Sequence, residues 1–241
     1  MKHTLEHLSV FAVVFATLGN AQATPLTTLF SGGTLTTGDK LFDRWGLVSA
    51  TTSDGHVVNT GNIEVTTLGP PGPNPLDPGP GLRFNVLDNE LKVTGDGIYA
   101  FIDLQFRFRV SALNPGLRIK DGSLVSENLL SRAADGANDL GTYILESVGS
   151  AAGLNDLGIA AVEFSVLDDV LTNSITASTT FAPQGEIWVT KNILVWSQDV
   201  TDSATLTAFE QRFSQTQVPE PGTLALLGMA GLAACLTRRR T

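Results

Sequence analysis

The sequence predicts an all-β protein. Its body is a single antiparallel β-sandwich with jelly-roll-like connections, flanked by an N-terminal signal helix and a C-terminal transmembrane helix. Three observations favour this fold class. Apolar and polar residues alternate along many short segments, which is the period of a strand with one buried face. Gly, Asn and Asp separate those segments, as they do at turns. The body shows no clear stretch with the period of an amphipathic helix, so strands joined by turns predict a sandwich.

The first 23 residues have the layout of a secretory signal peptide. Lys2 supplies a basic start, residues 8–18 (LSVFAVVFATL) are apolar on all sides, and Ala21 and Ala23 form a small-x-small cleavage pattern. The apolar run is shorter than the roughly 20 residues that span a bilayer, and it lacks the polar face of a buried amphipathic helix. We therefore predict export by the Sec machinery, cleavage by signal peptidase and a mature chain that begins near Thr24.

The clearest strand of the body is residues 98–110 (IYAFIDLQFRFRV). Ile98 and every second residue after it are predicted to face the core, while Asp103, Arg107 and Arg109 lie on the opposite face. Shorter strands are predicted at 41–48, 62–67, 82–86, 142–148, 162–167, 187–190 and 209–215. Together they are enough for one extracellular domain over residues 24–217.

A proline-rich segment, residues 69–81 (GPPGPNPLDPGPG), interrupts the predicted strands. It holds six of the 11 prolines, so it cannot join a sheet ladder and is predicted to be extended. We interpret it as a stiff connector between two strands. The alternative is a ligand for a proline-recognising groove, and a domain boundary is less favoured because the preceding segment is too short to bury a core.

Charge and cysteine content limit the possible functions. The chain has 24 Asp and Glu against 15 Lys and Arg, a net charge of −9, and four of the basic residues belong to the terminal segments. An acidic body argues against a nucleic-acid partner, because phosphate binding needs basic patches. The only cysteine, Cys235, lies in the C-terminal segment, so the body has no disulfide. Cys235 is predicted to pack as a small apolar residue, with lipidation as the alternative.

No familiar catalytic or cofactor motif is present. The body has one histidine, His56, in an Asp-Gly-His stretch that is typical of a turn, and no GxSxG motif accompanies it. The Cys and His ligands of a zinc site are lacking, as are GxGxxG and P-loop patterns. We therefore predict no catalytic residue, no metal and no cofactor, and a body that is not an enzyme.

Carboxylates leave one enzymatic alternative open. A glycosidase needs two of them at a defined separation, and Asp103, Glu163, Asp168 and Asp169 are candidates by residue type. In so acidic a chain their presence alone does not indicate a catalytic pair.

Two further binding hypotheses rest on residue type. Asp135, Asn138 and Asp139 form an oxygen-rich turn that could hold a hard cation, but EF-hand spacing is absent and a capped turn is favoured. The tryptophans could stack on sugar rings, although packing in the core or at an edge is favoured. They are Trp45, Trp188 and Trp196.

The chain ends with three distinct parts, and the first is an extended motif. Val218, Pro219, Glu220 and Pro221 are predicted to be extended and accessible, because the two prolines break any helix before the next segment.

The second and third parts are an apolar segment and a basic cluster. Residues 223–237 carry no charge, and as a helix they would reach about 22 Å against a hydrocarbon core of about 30 Å. The predicted membrane segment runs from Leu224 to Leu236 and is followed by Arg238, Arg239 and Arg240. Basic residues beside a membrane segment stay on the cytoplasmic side, so the body is predicted to lie outside.

These three parts (residues 218–241) resemble the PEP-CTERM sorting signal of Gram-negative bacteria. The resemblance implies that exosortase, a membrane enzyme, recognises the tail, removes it and passes the body outward. It also implies an inner-membrane intermediate, a final location at the cell surface or in the extracellular matrix, and an exopolysaccharide or biofilm context. An ordinary anchor that is never cut is the alternative. The same tail is sometimes labelled an ice-binding protein C-terminal domain, which describes the tail and not an activity.

Four stretches of the body also resemble a body type that is common among PEP-CTERM carriers and has no established activity: GDKLFDRW, NIEVTTLG, GLRF and WVTKNILV. The sequence therefore predicts a non-enzymatic surface or matrix protein with a structural or adhesive role and exopolysaccharide as a further partner. The alternatives are a secreted polysaccharide-acting hydrolase and a permanently anchored single-pass surface binding protein.

Overall fold

The computed structural model describes residues 22–133 and 139–218. Most of the predicted signal peptide, the predicted membrane segment and the arginine cluster lie outside the described residues, and so do Asp135 and Asn138. Ala23 lies inside them, just before the first strand. The described part is two antiparallel sheets packed face to face, which confirms the predicted all-β sandwich.

The strands within the described ranges vary in length from two residues to 15. In chain order they are β1 (Thr24–Pro25), β2 (Leu35–Thr37), β3 (Lys40–Thr52), β4 (Ile63–Leu68), β5 (Gly81–Val86), β6 (Lys92–Thr94), β7 (Ala100–Ala112), β8 (Leu117–Ser131), β9 (Leu140–Gly149), β10 (Gly158–Leu167), β11 (Val170–Ser174), β12 (Thr176–Gln184), β13 (Glu186–Ser197), β14 (Ser203–Arg212) and β15 (Gln215–Gln217). A short helix, α1 (Leu26–Phe30), follows β1, and a single 3-10 turn, Thr60–Asn62, precedes β4.

These strands form two sheets. The first sheet has the order β1-β4-β5-β14-β8-β12, with β6 on β14 and β15 on β8. The second sheet has the order β11-β10-β9-β13-β7-β3-β2. Because β13 and β14 are consecutive but belong to different sheets, the chain crosses from one sheet to the other between them.

Aromatic side chains fill the space between the sheets. Phe84 stacks on Phe209 with ring centroids 4.3 Å apart, and Trp45 stacks on Phe108 at 4.5 Å. Each of these two pairs lies within one sheet, and Phe84 joins the layers through Phe106 of β7, with ring centroids 5.8 Å apart.

The strongest strand prediction is confirmed with one correction. β7 begins at Ala100, and Ile98, which was predicted to face the core, is 78% exposed. The chain turns before the strand, because the carboxylate of Asp96 accepts hydrogen bonds from the backbone N–H groups of Ile98 and Tyr99. An Asx turn of this kind ends the alternation that the sequence pattern extended too far.

Other strand predictions were incomplete. The segment 187–190 is part of the longer β13, and 209–215 spans the end of β14 and the start of β15. Six of the described strands were not predicted: β1, β2, β6, β8, β11 and β12. β11 and β12 lie at sheet edges, with most of their residues outside the core, so they lack the apolar alternation that marks a half-buried strand.

The proline-rich segment joins β4 to β5, which pair with each other. Its second half is fixed to the body. The carbonyl of Leu76 accepts a hydrogen bond from the N–H of Gln215 at 2.8 Å, and Asp77 pairs with Lys120 at 2.7 Å. Its position agrees with the interpretation as a stiff connector.

No helix within residues 22–133 and 139–218 is long and apolar enough to cross a membrane.

Candidate functional site

A cleft of about 230 Å³ opens on the outer face of the second sheet. Its floor is formed by strands β7, β13 and β9, and one wall is the loop between β9 and β10. The residues that line it are mainly polar or small: Val48, Gln105, Arg107, Ser147, Gly153, Leu154, Asn155 and Thr190.

Strand register brings the floor residues together. Thr190 lies directly opposite Arg107 on β7 and opposite Ser147 on β9, so these three form one row across the sheet. Gln105 is two residues from Arg107 on the same face. The residues that alternate with these on β7 point inward, since Phe106 and Phe108 are fully buried.

The wall of the cleft is held by local hydrogen bonds. Asp156 accepts bonds from the backbone N–H of Ser150 at 2.8 Å and from its hydroxyl at 2.7 Å, and these bonds lower the pKa of the Asp156 carboxyl. The loop also lies tightly on the sheet, because a Cβ atom on Gly149 would come within 2.2 Å of the Leu154 carbonyl oxygen. Gly149 therefore allows the loop to close over the strand end.

Arg107 is an exposed guanidinium in this cleft, and no carboxylate within the described ranges pairs with it. Its strand neighbour Arg109 is different, because it pairs with Asp43 at 2.8 Å and Glu186 at 3.2 Å. The five N–H donors of Arg107 are thus available to a ligand. The cleft itself is lined by no acidic residue.

Trp188 adds an aromatic surface beside the cleft. It lies on the outer face between Arg109 and Gly149, one row from Thr190, and is half-buried. An indole next to hydroxyl, amide and guanidinium groups offers both a flat apolar contact and directed hydrogen bonds.

The other two tryptophans are buried: Trp45 belongs to the core, whereas Trp196 lies on the outer face of the second sheet. Trp45 is 6% exposed and its indole N–H donates to the Phe42 carbonyl at 3.3 Å. Trp196 is also 6% exposed and covers Gly141, where a Cβ would meet the indole at 2.7 Å.

The candidate glycosidase carboxylates are not brought together. Asp103 and Glu163 share a row on the outer face, but β13 and β9 lie between them. Three strand spacings make about 14 Å, whereas catalytic pairs are about 5 to 9.5 Å apart. Burial raises the pKa of the Asp103 carboxyl, and Glu163 accepts a hydrogen bond from Ser165 at 2.5 Å.

The other two carboxylates, Asp168 and Asp169, form the turn between β10 and β11. Both have positive φ, 48° and 64°, a conformation that Asp tolerates in tight turns. Asp169 pairs with Arg132, and the N–H of Asp168 donates to Asp139 at 3.0 Å. These contacts are typical of residues that shape a hairpin.

The residues around His56 line a second cleft, of about 220 Å³. His56 Nδ1 lies 2.6 Å from Asp54 Oδ1, and hydrogen bonds from His56 lower the pKa of Asp54. The same carboxylate accepts the His56 backbone N–H, as in the predicted turn. The hydroxyl oxygen of Ser53 accepts the N–H of Phe101 at 3.0 Å, and no hydrogen bond within the described ranges joins it to His56.

The predicted cation turn is described only at Asp139, whose carboxylate accepts the N–H of Asp168. Asp135 and Asn138 lie outside the described residues. Within the described ranges, no group of three His, Cys, Asp or Glu residues is placed to hold a metal ion.

The cleft residues were missed at the level of the sequence. The alternation in 98–110 placed Arg107 on a polar face, but nothing in the sequence paired it with Thr190 and Ser147. The one available signal was two arginines on the outer face of a strand in an acidic chain.

The sorting tail begins where the sandwich ends. β15 pairs with β8, and the N–H of Val218, the last described residue, donates to the Gly116 carbonyl at 2.8 Å. Pro219, Glu220, Pro221 and the residues after them lie outside the described part.

Comparison with protein families identifies this tail. Residues 217–240 match the PEP-CTERM protein-sorting motif, as the sequence predicted. The motif implies export to the cell envelope or surface, with exosortase as the processing partner. No curated protein matches the chain.

Among solved structures, three sandwich-like chains align with this one at low similarity. The structure of TmCBM61 in complex with β-1,4-galactotriose has 12% identity, covers 73% of this chain and 89% of its own, and gives a TM-score of 0.24. The CBM22-1 xylan-binding domain from Paenibacillus barcinonensis Xyn10C has 12% identity, with 69% and 86% covered and a TM-score of 0.21. A cellulase derived from Cel12A of Rhodothermus marinus has 11% identity, with 76% and 99% covered and a TM-score of 0.20. Scores this low carry no argument about ligand or activity.

Proposed function

We propose that this protein is a non-enzymatic component of the extracellular matrix of a Gram-negative bacterium, delivered through its PEP-CTERM tail, and that its sandwich binds polysaccharide. The observation that carries the proposal is the sorting motif at residues 217–240, which begins at the end of the last strand. The body then acts outside the cell after the tail is removed.

The outer cleft supports a saccharide as the ligand. Polysaccharides present hydroxyl groups that both donate and accept hydrogen bonds, and acidic ones also present carboxylates. Gln105, Asn155, Ser147 and Thr190 supply matching donors and acceptors. Arg107 supplies a planar guanidinium that fits a carboxylate, and Trp188, one row away on the same face, offers an aromatic surface for a sugar ring.

The hydrolase alternative has less support. Asp103 and Glu163 are too far apart for glycosidase chemistry, and the outer cleft contains no acid among its lining residues. A cleft that offers donors without a nucleophile or a general acid favours binding over hydrolysis.

The sorting part of the proposal is tested by intact mass of the protein from its own host, in membrane and extracellular fractions. We expect an extracellular species that begins near Thr24 and ends near Pro219-Glu220-Pro221. The double variant Pro219→Ala, Pro221→Ala should stay in the membrane fraction with its arginines, because the extended recognition segment is lost.

A matched control is Pro70→Ala, Pro71→Ala, which changes two exposed prolines of the connector and should be processed normally. Recovery of wild-type protein only in membranes, with Arg238, Arg239 and Arg240 intact, would contradict removal of the tail. The protein would then be a permanently anchored surface binding protein.

The binding part is tested with Arg107→Gln. Loss of a charge-assisted hydrogen bond costs about 1.5 to 3 kcal/mol, so we expect binding of polygalacturonate, a carboxylated polysaccharide, to weaken about tenfold or more. Affinity electrophoresis with polygalacturonate in the gel measures the change, and neutral dextran should retard neither protein strongly.

Arg44→Gln is the matched control, because Arg44 is also exposed and has no carboxylate partner within the described ranges, yet lies outside the cleft. It should bind like the wild type. Equal weakening by both variants would indicate a general charge effect, and the cleft would lose its assigned role.

A further inference from the structure

Three polar side chains meet in the core between the two sheets. Lys191 on β13 and Glu146 on β9 belong to the second sheet and lie directly opposite each other. Gln211 on β14 reaches them from the first sheet. All three are fully buried, which is uncommon for residues of these types.

The contacts among the three form a closed triangle. The Lys191 ammonium donates to Glu146 Oε2 and also to the carboxamide oxygen of Gln211. The Gln211 Nε2 group donates to Glu146 Oε1 at 3.1 Å. One carboxylate oxygen therefore faces the amine, and the other faces the amide nitrogen.

Neighbouring residues leave space for these three side chains. A Cβ on Gly122 would come within 3.1 Å of Glu146 Oε1 and 3.2 Å of Gln211 Nε2, so this glycine on β8 makes room for both groups. The ring of Phe209 lies 5.8 Å from Lys191 Nζ. The interior is apolar, and this desolvation lowers the pKa of Lys191, which favours the neutral, nucleophilic amine.

We propose that Lys191 and Gln211 form an intramolecular isopeptide bond, with Glu146 as the proton carrier. The lone pair of Lys191 Nζ attacks the carboxamide carbon of Gln211, a new C–N bond forms, and the bond from that carbon to Nε2 breaks. The products are a secondary amide and ammonia, so no oxidant, metal or cofactor is needed.

The positions of the two Glu146 oxygens provide the proton route. Oε2 takes one proton from the Lys191 ammonium, which leaves the amine neutral, and the carboxyl group delivers this proton to the departing Nε2 from the side of Oε1. Nζ loses a second proton as the amide forms, and the Glu146 carboxylate accepts it. The geometry holds nucleophile, proton carrier and leaving group in contact before reaction. Exclusion of water protects the amide formed from hydrolysis.

Such a bond would join the sheets covalently. Lys191 and Gln211 are 20 residues apart and lie on consecutive strands that belong to different sheets. The body contains no cysteine, since the single Cys of the chain is in the tail. An amide staple would supply the cross-link that small extracellular domains usually obtain from disulfides.

The test is a tryptic peptide map of the full chain, denatured before digestion. Unlinked protein is cut after Lys191 and yields peptides 133–191 and 192–212. Linked protein is not cut there, because an acylated lysine is not a trypsin site. It should give one peptide, 133–212, whose mass is about 17 Da below that of the same residues without the link, because one ammonia has been lost. Further cleavage with chymotrypsin should leave a branched pair that contains Lys191 and Gln211.

Glu146→Gln should restore the two separate peptides at their full masses. Lys40→Met is the matched control, because Lys40 is the other fully buried lysine and no contact within the described ranges joins it to a carboxamide; the linked peptide should persist. Wild-type protein that yields 133–191 and 192–212 without loss of ammonia would overturn the proposal, whether or not any variant folds.

Discussion

Two lysines are fully buried in the part of the chain that the structure describes, and they are held differently. Lys191 contacts both an acid and an amide, whereas Lys40 Nζ lies 3.6 Å from Asp39 Oδ1, too far for a hydrogen bond. Burial lowers the pKa of Lys40 to about 8, against the opposing effect of Asp39 and Asp121. Lys40 is thus a site where charge and burial compete.

This competition predicts a pH dependence of stability. Below pH 8 the folded protein bears the full cost of a buried ammonium. Between pH 8 and 10.5 the unfolded chain binds more protons than the folded one, so the free energy of unfolding should rise with pH, by up to about 3 kcal/mol. Urea denaturation of wild type and Lys40→Met across this window measures it, and the rise should be smaller in Lys40→Met because the contribution of Lys40 is removed.

Lys92→Met is the control for this prediction, because Lys92 is an exposed lysine. It should keep the same dependence on pH as the wild type. If Lys40→Met and the wild type gain stability in parallel from pH 8 to 10.5, Lys40 does not titrate as its burial indicates.

At the scale of elements, the second half of the proline-rich connector packs more closely on the body than the first half, which is held at its start by a hydrogen bond from Arg212 to the Gly69 carbonyl. Gly79 lies against β14's end, where a Cβ would come within 2.1 Å of the Phe213 carbonyl oxygen. Gly72, in the first half, has no atom within 4 Å of its Cβ position. The connector therefore has a packed half and an open half.

We expect Gly79→Ala to lower the free energy of unfolding by about 2 kcal/mol or more, because backbone must move to admit the methyl group. Gly72→Ala should leave it within about 0.5 kcal/mol of the wild type. Midpoints of urea unfolding measure both. Equal effects of the two substitutions would mean that the connector is not anchored as described.

The regularity of alternation along each strand explains which strands could be predicted from the sequence. β7 has one face in the core and one outside, so the alternation from Ala100 to Ala112 is regular and its interpretation was correct. β8 has polar and apolar residues that change faces along its length, and its register on β14 shifts between Leu206 and Ala208. A bulge of this kind breaks the period on which a sequence prediction depends.

At the scale of the whole molecule, the sorting motif follows the sandwich in the chain. The motif match begins at residue 217, and Val218 is the last residue that the structure describes. The match overlaps the sandwich at Gln217, the last residue of β15, and at Val218, whose N–H donates to the Gly116 carbonyl. A net charge of −9 would repel acidic polymers at long range, so binding of such a polymer depends on the local donors of the outer cleft.

The sequence by itself determined the fold class, the sorting tail and the absence of disulfides in the body. These follow from local patterns: alternation within one strand, a motif of adjacent residues, and a cysteine count. Only the tertiary structure decided that Arg107, Thr190 and Ser147 share a cleft, that Asp103 and Glu163 are too far apart to act together, and that Lys191, Glu146 and Gln211 meet. The reason is that strand register and sheet packing bring together residues distant in sequence, and single-strand periodicity carries no information about which strands become neighbours.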